Sequence, residues 1–350
     1  MTHRTARGTL VFVGLSNVTR RTAAAVLFAL PVIAAVTARV SAAPALVDVS
    51  PQPVILIQHT QPVWITTWDR PQIAIDAGGE FPQIDRRPDR LAGTNPATPY
   101  SVPIPAQAVA GPSGAPIVLG PENFPVTLPP GRHDTVRIVL PPDVANVTIP
   151  ADTVVLSING LAATQIVNYR GQLIAQQQDG PLVLRGVSGE AFAQNLRGPI
   201  FVTDSSFDRL RTRTAASNTV FQRVEVRQIE ATSTFGSILF NNGSFEPGLA
   251  RFETVTGHVA LGVNGGANVA VRAQPGQIFQ RFDRPTPFVD RGGEANAMIG
   301  GGGPLVNVVT RQGRVYLYDG SILDKRALPQ HWNQIRAPLE RLERFRRRER

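Results

Sequence analysis

Arg209, Arg211 and Arg213 alternate with Leu210, Thr212 and Thr214. On a β-strand successive side chains point to opposite faces, so this spacing puts three guanidinium groups on one side. Guanidinium grips carboxylate or phosphate through paired hydrogen bonds, which points to an anionic glycan or cell-envelope polymer as ligand. Arg223 and Arg227 are expected to extend the basic face on the following strand. The competing reading is a solvated face, neutralised by Glu225, Glu230 and Asp208.

Catalytic constellations are sparse. The histidines His3, His59, His133, His258 and His331 stand alone, with no His-x-x-x-His or His-Glu pair at metal-ligand spacing. No Gly-x-Ser-x-Gly elbow offers a serine nucleophile. The glycine run at 300–303 is followed by Pro304, not by the Lys and Ser/Thr of a phosphate loop. Asp179, Glu190, Asp204 and Asp208 are the carboxylates that a polysaccharide hydrolase or lyase would need, but they do not repeat in register. The expectation is a protein that is not an enzyme and takes no catalytic residue, metal or cofactor. The chain has no cysteine, which excludes disulfides and Cys-ligated metals.

The net charge of +9 has to be divided before it is interpreted. Residues 1–42 hold five arginines and no acid, and residues 331–350 hold seven arginines and three glutamates, giving +5 and +4. The remainder is neutral, which argues against a nucleic-acid footprint. Residues 1–42 read as a signal peptide. Arg20-Arg21 precede an apolar run at 23–38, short of the roughly 20 residues that span a bilayer. Val40-Ser41-Ala42 then offers small residues for cleavage after Ala42. An uncleaved anchor is the alternative, and Sec and twin-arginine export both stay open. The expected location is exported: periplasmic, cell-surface or secreted.

Several elements must position these residues. Residues 43–76 read as an N-terminal β segment. Residues 77–133, with proline recurring throughout, read as an extended linker or insertion, weakly ordered over about 84–115. Residues 134–320 change to strand periodicity. Gly171, Gly180, Gly189 and Gly198 recur every nine residues, and Gly-x-aliphatic starts at Gly236, Gly257, Gly276 and Gly313 continue at a longer step. Two nine-residue units make a rung of roughly 18–21 residues. The fold class expected is all-β: a parallel β-solenoid (β-helix) of about eight short rungs, each pairing its backbone with the next. An antiparallel sandwich competes, because Asn159-Gly160, Asn242-Gly243 and Asn264-Gly265 are hairpin dipeptides. Residues 44–76 and the chain after Gly320 are the expected end caps.

Residues 321–350 read as a basic amphipathic helix. Trp332, Ile335, Leu339, Leu342 and Phe345 share one face, ringed by arginines. Capping of the last rung, attachment to anionic lipid and a disordered end are the three readings.

The stretch Val63-Trp64-Ile65-Thr66-Thr67-Trp68-Asp69-Arg70-Pro71, the glycine-spaced strands, and Gly313-Arg314-Val315-Tyr316-Leu317-Tyr318 resemble exported bacterial proteins with a DUF4097-type adhesin domain. The resemblance covers 134–320 and, more loosely, 54–76. It implies a β-solenoid behind a signal peptide and brings no catalytic residue with it. The function expected is a structural or binding module that presents its surface to cell-surface glycan or envelope polymer. A solenoid carbohydrate-active enzyme and an envelope signalling accessory are the alternatives.

Overall fold

The computed structural model describes residues 44–76, 81–88, 100–110, 116–130, 133–144, 146–283 and 286–320. By its internal contacts the chain divides into Met1–Val40 and Ser41–Arg350. The leader, His3, His331 and the expected C-terminal helix with Trp332, Ile335, Leu339, Leu342 and Phe345 all lie outside the described residues. Among the described residues every regular element is a strand, and 23 strands join in one sheet.

The ladders of the sheet run mostly parallel. This removes the hairpin sandwich as a description of the body. Gln172 pairs with Glu190 and Leu182 with Ile200, steps of 18 residues. Ile200 pairs with Thr219, a step of 19, and Ile238 with Val259, a step of 21. The nine-residue glycine period is therefore two corners visited in turn. Gly171 stacks on Gly189 at one corner, and Gly198 stacks on Gly180 at the other. A Cβ on Gly198 would fall 1.6 Å from the Gly180 carbonyl oxygen, so only glycine permits that approach.

A third corner has no glycine rule. Asn168, Gly186, Asp204, Arg223 and Asn242 follow one another at 18 or 19 residues and take φ of 57°, 62°, 51°, 53° and 56°. Asn and Asp tolerate the left-handed region, whereas arginine adopts it at a cost of order 1 kcal/mol. Arg223 is held there by Asp204 of the preceding circuit, Nε to Oδ1 at 2.6 Å and Nη2 to Oδ2 at 2.9 Å. The Asn242-Gly243 dipeptide thus serves a corner inside the strand Ile238–Phe245, between parallel neighbours, and not a hairpin.

The inward side chains form one continuous core. It is aliphatic around Ile55, Ile65, Val136, Leu173 and Leu184, and aromatic further along. Phe240 stacks on Phe245 with ring centroids 4.5 Å apart, and Phe252 meets Phe240 edge-on at 5.7 Å. Several inward polar residues sit at a corner, where they bond its carbonyls. Asn195 Nδ2 donates to Gly180 O at 2.8 Å, Thr254 Oγ1 to Gly236 O at 2.9 Å, and Thr310 Oγ1 to Gly257 O at 3.1 Å.

The two ends of the sheet share a device that the sequence does not announce. Val54–His59 pairs in parallel with Asp134–Val139 on one side and Val155–Gly160 on the other. Val63–Trp68 is likewise held between Asn146–Pro150 and Thr164–Val167. At the other end, Leu305–Gln312 lies between Ala250–Thr256 and Ala267–Arg272, and Val315–Asp319 between Val259–Val263 and Ile278–Arg281. The strands within 54–68 and 305–319 are thus each slotted between two other parallel strands. Antiparallel strands then cover the outer edges: Gln83–Pro88 on Asp134–Val139, Gln72–Asp76 on Asn146–Pro150, and Glu294–Ile299 on Ala267–Arg272. Of the expected N-terminal cap, Gln72–Asp76 lies between Asn146–Pro150 and Ala45–Asp48, which leaves Ala45–Asp48 as the outermost of these strands. Residues 54–68 are interior.

Candidate functional site

Arg209, Arg211 and Arg213 do share the outward face of Ile200–Thr214, and carboxylates reach each of them. The Arg213 Nη1 lies 2.8 Å from Glu122 Oε2 and donates to Gly120 O at 3.1 Å. Arg211 pairs with the other Glu122 oxygen and, through Nε, with Glu230 Oε2 at 3.0 Å. The Arg209 Nη2 lies 3.7 Å from Glu190 Oε1.

Glu122 belongs to the Pro-rich segment, and its position explains what that segment does. Tyr100–Ile104 pairs antiparallel with Glu122–Val126, and Gln107–Ala110 with Pro116–Leu119. Two-stranded ribbons tolerate proline because each strand keeps a free edge. The ribbon sets Ile104, Phe124 and Val126 on Ile174 and Phe192, which point outward from the sheet. Phe124 and Phe192 lie 5.9 Å apart between ring centroids. Burying each such side chain contributes roughly 1.5–3 kcal/mol. Amides fix the docking: Gln194 Nε2 donates to Gln107 Oε1 at 2.6 Å, and Thr127 N donates to Gln172 Oε1 at 2.8 Å.

The expected extension of the basic face is not formed. The residues opposite Arg209, Arg211 and Arg213 on the next strand are Gln228, Glu230 and Thr232. Arg223 sits at the left-handed corner bound to Asp204. Arg227 is exposed near the next corner, and Gly248 packs against its carbonyl. The 19-residue step moves Arg227 out of register with Arg209, and Arg223 lies beyond the end of the arginine row. What results is a charge-balanced cluster beside an open groove lined by Asn123, Pro125, Arg211, Gln228, Glu230 and Leu249.

The other sequence candidates are dispersed. Asp179 pairs with Arg197, Glu190 with Arg209 and Asp204 with Arg223, at separate places on the sheet, and Asp208 is exposed. His59 is buried, with Nδ1 2.7 Å from Gln61 O and Nε2 3.0 Å from Thr164 Oγ1. Burial holds its pKa below the ordinary histidine value, against the raising effect of the Gln61 contact. His133 lies between the carbonyls of Gln52 and Pro129, and His258 Nδ1 accepts from Arg314 N. Among the described residues no group of three or more His, Cys, Asp or Glu is placed to hold a metal.

A second surface was not selected from the sequence. Trp64 is 40% exposed on the outward face of Val63–Trp68, with Asn146 opposite on one neighbouring strand and Gln165 on the other. Thr66 and Thr148 hydroxyls meet beside it at 3.1 Å. At the end of the strand Arg70 lies 4.9 Å over the Trp68 ring, and Trp68 Nε1 donates to Gln72 O at 2.6 Å. The exposed indole thus stands on a rigid sheet among polar side chains, with Asn146 Nδ2 donating to Asp76 Oδ2 at 3.4 Å beside it. The signal was present in the alternation Trp64, Thr66, Trp68.

No protein-family model matches the chain, so the resemblance to DUF4097-type domains rests on the residues that suggested it. No curated protein matches either. Among solved structures the chain is similar to the crystal structure of a "putative cell adhesion protein" from Clostridium sporogenes. That match has 8% identity and a TM-score of 0.22, and covers 79% of this chain and 98% of that one.

Proposed function

We propose that this chain is an exported, non-enzymatic parallel β-solenoid that presents a lateral sheet face to cell-surface glycan or envelope polymer, as an adhesin-type module. Residues 1–42 act as its export signal, and residues 321–350 form an amphipathic helix. The observation that carries the binding reading is Trp64, an exposed indole between Asn146 and Gln165 on three adjacent parallel strands. Backbone ladders on both sides hold that platform, so little conformational entropy is lost on binding. The Arg–Glu cluster under the ribbon is a brace in this reading, not the anion grip expected from sequence.

The test uses the chain without its leader and a polysaccharide panel in affinity electrophoresis. At least one neutral polysaccharide is expected to retard the wild type, with retardation abolished by Trp64→Ala. Retardation unchanged in that variant overturns the platform. New reducing ends or unsaturated sugars after incubation would overturn the non-enzymatic reading in favour of a carbohydrate-active enzyme.

A further inference from the structure

The column of outward residues that includes Trp64 and Gln165 continues along the sheet and changes character. Gln165 pairs with Val183, Val183 with Phe201, then follow Val220, Leu239, Ala260 and Tyr316 in direct register. Their strand neighbours Ile200, Val202, Ile238, Phe240, Val259 and Leu261 fill the inner core, so this row stands on the outside of the sheet. Yet Phe201 is 3% exposed, and Val220, Leu239, Ala260 and Tyr316 are 0% exposed. They form an apolar cluster separate from the inner core, and every described member of it lies on this one face. A parallel sheet with an apolar outer face requires a covering layer.

We infer that residues 321–350 supply that layer, laying the stripe Trp332, Ile335, Leu339, Leu342 and Phe345 across the strands along the Phe201-to-Tyr316 row. Three observations select this occupant. The segment leaves the sheet at the row itself, because Val315–Asp319 carries Tyr316 and Tyr318 and is followed directly by Gly320. The lengths agree: the 14 residues from Trp332 to Phe345, taken as helix, extend about 20 Å, and five adjacent strands extend about 19 Å. The chemistry agrees too, since the stripe is apolar and Arg341, Arg344, Arg347 and Arg348 fall on the other faces, where they stay hydrated, while Arg346 follows the stripe's last residue. This places the segment on the side of the sheet, not over its last strand and not on a lipid surface. The inference takes the segment as helical and does not depend on glycan binding.

The chain has three tryptophans and no cysteine, which makes the test direct. In full-length Trp64→Phe/Trp68→Phe protein, Trp332 is the only tryptophan. Its emission is expected to be blue-shifted and protected from acrylamide, without lipid and independent of dilution. Exposure in buffer overturns the inference, as does shielding that appears only with phosphatidylglycerol vesicles or only at high protein concentration. Oxidation of Leu239→Cys/Leu339→Cys is expected to give a disulfide within one chain, and Leu239→Cys/Arg341→Cys to give none. If position 239 cross-links with none of 335, 339 and 342, or only between copies, the docking is overturned even where Trp332 is shielded.

Discussion

One outward column of residues crosses the sheet, and its two parts differ in everything except backbone geometry. From Trp64 through Gln165 it carries an exposed indole and amides. From Phe201 to Tyr316 it carries only apolar side chains, and these are buried. Both parts point to the same side of parallel strands paired in register. Parallel stacking therefore fixes which side chains align and leaves open whether the aligned row faces water or a packing layer. That second choice depends on the side chains themselves and on what else the chain can bring to them.

The largest expected effect breaks the comparison at its covered part. Leu239→Asp puts a carboxylate where nothing pairs it and is expected to cost roughly 3–5 kcal/mol in urea unfolding. Gln165→Asp, on the same face and four strands away in the same column, is expected to change stability by no more than about 0.5 kcal/mol. Equal losses would show that the two parts are not distinct environments.

A pH titration sharpens the comparison at the open part. His59, packed near Thr164, has its pKa held below 6.5, so the fold favours the neutral ring. Stability from this site is complete above pH 6.5 and falls as pH drops below 6.5 toward the lowered value, where folded His59 finally protonates. Hydrogen exchange is expected to rise first in Val54–His59 and Thr164–Val167 under mild acid, with the strands of the covered row unchanged. His59→Gln is expected to remove that pH dependence.

The smallest effect lies at the edge. Arg86 holds Asp134 below the usual carboxylate range and ties the antiparallel Gln83–Pro88 strand to the sheet. This contribution is present above pH 3.8 and fades as pH falls through the lowered value. Asp134→Asn is expected to lose about 0.5–1 kcal/mol at neutral pH, as a partly exposed pair should.

Legibility in the sequence followed the range of the interactions. The nine-residue glycine spacing matches the 18-residue pairing step between parallel strands, because close backbone approach where glycines stack admits no Cβ and so leaves a periodic trace. Alternation correctly put Arg209, Arg211 and Arg213 on one face. Their charge balance was hidden, because Glu122 joins them from 89 and 91 residues away. Arg223, expected to extend that face, stands at a left-handed corner instead, a conformation arginine disfavours and the Asp204 carboxylate of the neighbouring strand makes tenable.

By itself the sequence determined the β-strands and the neutral, cysteine-free body, since alternation and composition act between near neighbours. Tertiary structure alone decided that residues 54–68 and 305–319 slot between other circuits, that the Pro-rich ribbon docks on Ile174 and Phe192, and which outward row is covered. Those outcomes depend on pairing across long stretches of chain, such as Val54 with Val155. No local pattern encodes them, because a backbone ladder accepts any partner strand whose register and facing side chains fit.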